Sequence, residues 1–400
     1  MKLLSDLPLA SREVSPETSG AEIDAMFKAD PQLAGIVVST GEHDGAVLTR
    51  NSFYQQMSRR TGFEIFAHRP VTTILQHVPR AVLELPPETP VAEAVERAIQ
   101  REPGMTYEPL RVTREGQRVG LISFNQLILA QSSVLESTME EISEKNRQVQ
   151  DSIRYAQRIQ HSMIFSQDQE LPDYLDYFTI YRPRDIVSGD FYWITQIDGV
   201  LFVAVADCTG HGVPGAFMSL IGHGHLSSLV QVERLKDPAE ILRQLHLRIR
   251  RSLHQERISD VAYDGMEIGL CAIDRSARQL RFSGAKRPLF VVSSGGGLDA
   301  YKGDRAAIGG RQRERDRVFT QLDLTLDTDR TYYLFSDGWT DQCDPHQNKF
   351  GTKRLREVLT TVAPLELPNQ RTFLESTLNL FQKSAAQRDD IALLGFRILP

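Results

Sequence analysis

Four aspartates in this 400-residue chain stand where a carboxylate can do chemistry: Asp190 in VSGDFYW, Asp207 in VAVADCTGHG, Asp337 in YYLFSDGWTD and Asp389 in AQRDDIALLGF. Each adjoins an apolar run, and in three of the four a glycine lies within three residues. Strand ends or turns of this kind let a rigid sheet aim side chains at one point. A charge held there is costly unless water, a donor or a cation neutralises it. One such aspartate is unremarkable, but four together ask for a cation. Hard oxygen donors suit Mg²⁺ or Mn²⁺, and the absence of nearby Cys or well-spaced His argues against zinc. Two divalent ions about 3.5–4 Å apart hold a water, lower its pKa and stabilise in-line displacement at phosphorus. The chemistry that fits is hydrolysis of a phosphate ester.

The sequence around Asp207 makes local sense. Gly210 and Gly212 permit a tight backbone path after the strand, and Pro214 falls near the first turn of the next helix, where its missing N–H costs nothing. Gly215 and Ala216 then allow that helix to pack closely, which simple helix–sheet packing also explains. Arg182 and Arg184 have the fork geometry to clamp a phosphate, and surface placement accounts for them equally well. His223 and His225 lie two apart on an expected helix, point to different sides and read as structural.

The elements that must position these residues come from hydrophobic periodicity. From Tyr174 onward, short β-branched and aromatic runs (FTIYRP, FYWITQIDGVLFVAVAD, GLCAIDRSARQLRFSG, LFVVSSGGGLDAYK, RTYYLFSDG, IALLGFRI) are broken by Gly, Asp and Ser turns. Helices are expected over 213–230, 239–254, 352–361 and 369–384. The fold class is α+β, an antiparallel β-sandwich flanked by helices, in one domain over 167–400.

Upstream, residues 132–165 contain no Pro or Gly and are rich in helix formers, which predicts one long helix with a linker over 131–166. Leu135, Ile142, Val149, Ala156 and Met163 recur every seven residues, with Met139, Asn146, Ile153 and Gln160 four beyond the first four of them. This is an a/d seam, with Asn146 and Gln160 as buried polar positions that fix register in a parallel homodimer. The alternative is an amphipathic helix lying on its own domain. Before it, residues 21–130 repeat an order of helix, strand, turn, strand, helix, and 1–20 read as a tail. In the second half Thr89 is expected to cap the helix exposing Val91, Ala94, Val95 and Ala98, and Glu115-Gly116 makes a turn. This pattern resembles a CBS-domain pair, which implies an adenine nucleotide between the halves; a packing or dimerisation module with an empty cleft is the other reading.

Over residues 150–400 the chain resembles the SpoIIE-like branch of the type 2C, or PPM, protein phosphatases. The motifs arrive in the family's order: YRP...SGDFYW, DCTGHGVPGAFMS, GAKRPL, IGG, SDGWTDQ, KFGTKRL and RDDIALLG. The resemblance implies two Mn²⁺ or Mg²⁺ ions held by Asp190, Asp207, the Cys208 carbonyl, Asp337 and Asp389, with Asp207 bridging and Asp337 and Asp389 on the second ion. It also implies a phosphorylated small regulatory partner, an anti-sigma-factor antagonist of STAS fold or a SiaC-like protein. His211 lies beside the site, but the acidic His of one relative falls where this chain has Thr209. Asp264 and Glu267 in YDGMEIGL resemble a DGMD segment whose second acid is replaced by Glu267. Asp390 and Asp341 are supporting groups. A catalytically silent adaptor would lack one of the metal aspartates, and none is missing; a small-molecule phosphate-ester hydrolase would show a deep apolar pocket with a basic selector.

Composition bounds the rest. A formal net charge of −6 with no Lys/Arg block gives no footprint for nucleic acid. No apolar stretch approaches the roughly 20 residues of a bilayer span, and the start is too short for a signal region. Cys208, Cys271 and Cys343 lack paired spacing, which fits a reducing cytoplasm.

Overall fold

The computed structural model describes residues 2–39, 45–78, 82–115, 117–165, 171–255, 263–310, 314 and 316–400, with the side chains of 117 and 118 excepted. The chain divides into two compact units, Met1–Arg147 and Gln148–Pro400.

The first unit is built twice on one plan. Its elements are β1 (Arg12–Val14), α1 (Gly20–Ala29), β2 (Gly35–Val38), β3 (Ala46–Thr49), α2 (Arg50–Met57), α3 (Gly62–Phe66), α4 (Val71–Leu75), β4 (Glu84–Leu85), α5 (Val91–Ile99), β5 (Leu110–Arg114), β6 (Gln117–Ile122) and the start of α6 (Phe124–Ile164). In each half a parallel pair is followed by an antiparallel one, β1-β2-β3 and β4-β5-β6. The first twenty residues are therefore no tail. Within them β1 completes the first sheet, while Leu4 and Leu7 are buried in the core of the second half. Thr89 does not cap α5; Pro90 takes that position, and the buried Thr89 instead offers its carbonyl to the Leu4 amide. Val91, Ala94 and Ala98 do form the buried face of α5. Glu115 opens its turn with φ of 50°, and Gly116 lies outside the described residues.

The second unit contains β7 (Leu175–Arg182), β8 (Phe191–Ile197), β9 (Val200–Cys208), α7 (Gly212–Ser227), α8 (Pro238–Ser252), β10 (Gly265–Asp274), β11 (Gln279–Ala285), β12 (Leu289–Ser293), β13 (Leu298–Tyr301), β14 (Ile308–Gly309), β15 (Leu322–Thr325), β16 (Arg330–Phe335), α9 (Gly338–Asp341), α10 (Gly351–Val362), α11 (Leu367–Gln382) and β17 (Ile391–Ile398). Two sheets, ordered β15-β11-β10-β9-β8 with β14 on β10, and β13-β12-β16-β17-β7, face each other. Pairing within both is antiparallel.

Period-two patterning explains the layers. In β9, Leu201, Val203 and Val205 point into the core shared by the two sheets, whereas Phe202, Ala204 and Ala206 point to the layer of α7 and α8. The other sheet buries Phe178, Tyr333, Phe335 and Leu393 under α10 and α11. Each such apolar side chain contributes about 1.5–3 kcal/mol by leaving water. Asp198 and Gly199, with φ of 50° and 78°, make the tight turn joining β8 to β9. That turn sets the register that brings the far end of β8, and Asp190 with it, beside Asp207.

One helix, α6, covers the expected linker as far as Ile164, and residue 166 lies outside the described residues. Its stripe changes partner along its length. Leu135, Met139, Ile142 and Val149 are exposed, whereas Gln160 and Ile164 are buried in the second unit. Gln160 is therefore not a seam position: the second unit covers the C-terminal turns of α6, as the alternative reading has it.

Candidate active site

The acidic residues meet because strand register and sheet packing put them at one edge of the sandwich. Glu267 is the direct partner of Asp207 across β9 and β10. Asp190 sits one step beyond the Phe191↔Ala206 pair of β8 and β9, so it flanks Asp207 on the other side. From the second sheet, Asp337 follows β16 and Asp389 precedes β17, two strands that pair with each other. The Asp337 amide donates to Asp207 Oδ2 at 3.4 Å, which joins the two sheets at the site.

A cation already lies among these groups. Arg287, in the GAKRPL segment, places Nη2 3.0 Å from Asp207 Oδ2 and 2.7 Å from Asp337 Oδ2, and the same nitrogen touches Glu267 Oε2. Lys286 reaches Glu267 Oε1 at 2.7 Å. Burial works to lower the Arg287 pKa, but Asp207, Asp337 and Glu267 outweigh it and raise it. Burial pushes the Asp207 carboxyl up to about 8, against the downward pull of Arg287 and with Asp337 and Glu267 adding to the rise. Asp190 is pushed well above the carboxylate range, first by burial and then by Asp207, while the Ser336 hydroxyl pulls the other way. Asp389 is exposed by area yet hemmed in by its neighbours. That crowding, with Asp337 and Asp390 adding to it, raises its carboxyl despite the bond from the Asp390 amide.

The supporting shell is explicit. Asp390 is buried and accepts from the Arg184 amide and the Gly189 amide, both at 2.7 Å, which fixes the loop before Asp190. Gln160 of α6 grips the same loop: its amide donates to the Ser188 carbonyl at 2.6 Å and to Ser219 Oγ at 2.8 Å, and its oxygen accepts from the Ser188 amide. On the Asp207 side, Gly210 has φ of 85°, and a Cβ on Gly215 would lie 2.2 Å from the Gly210 carbonyl oxygen. The expected tight path after β9 is thus the one observed. Cys208 is buried between Asp207 and that turn.

Other expected residues have different occupations. His211 Nδ1 lies 2.8 Å from Asp185 Oδ2 at the start of α7. Arg182 donates to Asn379, and the Arg184 side chain to the Arg388 carbonyl, so neither guanidinium is directed at the acids. His225 meets Ser252, whereas His223 packs edge-on against Phe191 and burial lowers its pKa. Asp264 accepts from Thr209, and Asp341 pairs with Lys349. Sequence reasoning gave no role to Arg287 or Lys286 and misplaced Gln160. The signal for the first two was a basic dipeptide between two apolar strands.

The donor set fits divalent ions of the hard class. Asp190 Oδ2 is buried with no hydrogen-bond partner, and a guanidinium stands as a positive charge among Asp207, Glu267 and Asp337. Among the described residues no three such side chains close on a single point tightly enough for an ion as they stand; Asp207, Glu267 and Asp337 meet the Arg287 Nη2 instead.

With this geometry in view, the comparison with protein families is decisive. The family described as Stage II sporulation protein E (SpoIIE) matches residues 197–399. The chain belongs to the SpoIIE family. Its members are PP2C-type protein serine/threonine phosphatases, and the helix-flanked antiparallel sandwich is their fold. Among solved structures, the SiaA-PP2C domain of Pseudomonas aeruginosa is 33% identical, covers 63% of this chain and 98% of its own, and has a TM-score of 0.57. The PP2C domain and regulatory fragment of SpoIIE from Bacillus subtilis is 16% identical over 56% of this chain and 63% of its own, with a TM-score of 0.44. The comparison with curated proteins gave no match. Among the described residues, no helix is long and apolar enough to cross a membrane.

Proposed function

We propose that this SpoIIE-family chain removes phosphate from phosphoserine or phosphothreonine on a small regulatory protein, of STAS or SiaC-like type, using two Mn²⁺ or Mg²⁺ ions. The observation that supports the reading is that Asp207 and Asp337, from the two sheets, meet with Glu267 on the Arg287 charge, with Asp190 close to Asp207 and Asp389 close to Asp337. Asp190, Asp207 and the Cys208 carbonyl would hold one ion and Asp337 and Asp389 the second, with Asp207 serving both. Bound there, the ions supply a water of lowered pKa and positive charge opposite the phosphoryl oxygens.

The chain's own residues then do the positioning. Asp390 and Gln160 lock the Ser188-Gly189-Asp190 backbone, which limits where the Asp190 carboxylate can go. The Gly210 turn, with φ of 85°, carries the backbone from β9 into α7. Arg287 neutralises Asp207 and Asp337 when they face each other without an ion.

For regulation, the first unit is read as a CBS-like sensor that acts through α6 in a homodimer. Its halves enclose a cleft of about 510 Å³ lined by Leu33, Arg50, Asn51, Tyr107, Ser123 and Phe124, a size that suits an adenine nucleotide. The support for transmission is the bond of Gln160 to the loop that carries Asp190.

Release of phosphate from p-nitrophenyl phosphate by the full chain tests the catalytic core. Activity is expected with Mn²⁺ or Mg²⁺ and lost in EDTA, and to fall at least about 100-fold in folded Asp207→Asn and Asp337→Asn proteins. Wild-type rates in either variant would overturn the assignment.

A further inference from the structure

The acidic site has a basic neighbour that the phosphatase chemistry does not use. A cleft of about 380 Å³ is lined by Lys286, Pro288, Lys302, Gly303, Asp304 and Arg305. Lys302 and Arg305 are exposed, and neither pairs with a carboxylate among the described residues. The one acid in the cleft is occupied: Asp304 accepts from the Thr320 amide at 2.6 Å and from the Thr320 hydroxyl at 3.1 Å. Three cationic side chains therefore face the cleft of a chain whose formal net charge is −6.

This patch is held rigidly against the site. The Lys286 amide donates to the Asp304 carbonyl, and the Asp304 amide to the Gly284 carbonyl, both at 2.7 Å. A Cβ on Gly303 would lie 2.7 Å from the carbonyl oxygens of both Arg287 and Gly284, so the two segments are in close backbone contact. Lys286 and Arg287 are consecutive. The first lines the cleft and reaches Glu267; the second reaches Asp207 and Asp337. A polypeptide with its phosphorylated side chain at the aspartates thus has neighbouring residues within reach of the cleft.

We infer that Lys286, Lys302 and Arg305 form a docking cleft for an acidic stretch of the phosphoprotein close to the phosphorylated residue. Charge complementarity carries the inference, since an acidic segment would otherwise be repelled by an acidic protein and an acidic site. It rests on the phosphatase reading above and adds the chemical class of the substrate surface.

The experiment compares kcat/KM of the full-length protein, wild type and Lys302→Glu/Arg305→Glu, on two phosphoserine peptides with acidic or with Gly/Ser flanks, and on p-nitrophenyl phosphate. Binding of the same peptides, fluorescently labelled, is read by anisotropy. Wild type is expected to prefer the acidic peptide by about fivefold, as two exposed ion pairs would give, with the preference shrinking at high salt. The double variant is expected to lose or reverse that preference while keeping its rate on the aryl phosphate within about twofold, because it touches no ion pair of the acidic site. Equal kcat/KM and equal binding for the two peptides in wild type, or a preference that survives charge reversal, would overturn the cleft. No turnover of any substrate would instead defeat the phosphatase reading. Anisotropy would then decide the cleft by whether charge reversal abolishes a preference for the acidic peptide.

Discussion

Arg287 brings one nitrogen against three carboxylates, and its own charge is almost wholly removed from water, with 9% of the side chain accessible. Removing one partner of a buried ion cluster leaves the others uncompensated, at about 3–5 kcal/mol when burial is complete. Asp337 is 45% accessible, so the cost here falls toward or below the low end of that range. Arg287→Ala is expected to lower the melting temperature in EDTA by several degrees, and by much less with saturating Mn²⁺, because ions then supply the missing charge. Equal losses under the two conditions would contradict this. Gly338 offers a steric counterpart. A Cβ there would lie 1.9 Å from the Asp390 carbonyl oxygen, and the two residues belong to the segments carrying Asp337 and Asp389. Gly338→Ala should destabilise by about 1–3 kcal/mol in urea unfolding, since a backbone atom has to move. The aspartates were legible in the sequence because a charge beside an apolar run is anomalous on local grounds. Arg287 was not, because its meaning depends on Asp207, Glu267 and Asp337, which only strand register and sheet packing bring to it.

Among the elements, α6 carries the clearest consequence. Its amide side chain at Gln160 makes three bonds to Ser188 and Ser219 in a buried setting. Gln160→Ala leaves the Ser188 amide without its partner at about 1–3 kcal/mol, while the Ser188 carbonyl and Ser219 Oγ keep their bond to each other, and loosens the loop that ends in Asp190. The expected outcome is weaker Mn²⁺ affinity and a lower rate on the aryl phosphate in a protein that stays folded. Unchanged affinity, read by calorimetry, would show that the loop does not depend on α6. Heptad spacing predicted this helix but not its surroundings, because an apolar stripe has the same period whether a second copy or the chain's own domain covers it. The strands were more readable. Alternation in FYWITQIDGVLFVAVAD, with Asp198-Gly199 between the runs, dictates an antiparallel hairpin by turn geometry alone. The first twenty residues were misread for the opposite reason: β1 has three residues, too short for a pattern, and is recognisable only once β2 lies beside it.

At the scale of the molecule, the exposed part of the α6 stripe sets the expected assembly. Met139 and Ile142 are 72% and 54% exposed, and Leu135 and Val149 continue the same line. A large apolar stripe of this kind asks for a covering surface. The wild type is expected to sediment as a dimer and Met139→Glu/Ile142→Glu as a monomer at the same concentration; identical sedimentation would remove the helix as a dimer contact. The sandwich itself followed from element order and alternation, whereas the repeat in the first unit was visible as order and confirmed as sheet topology, β1-β2-β3 matching β4-β5-β6. The proposed function depends on the carboxylates of the two facing sheets acting together on cations. Calorimetric titration of Mn²⁺ into the metal-free full-length protein tests that most directly. The expected result is about two ions bound per chain, with at least one lost in Asp207→Asn. Titrations that show no binding, or the same stoichiometry and affinity after Asp207→Asn and Asp337→Asn, would contradict the account.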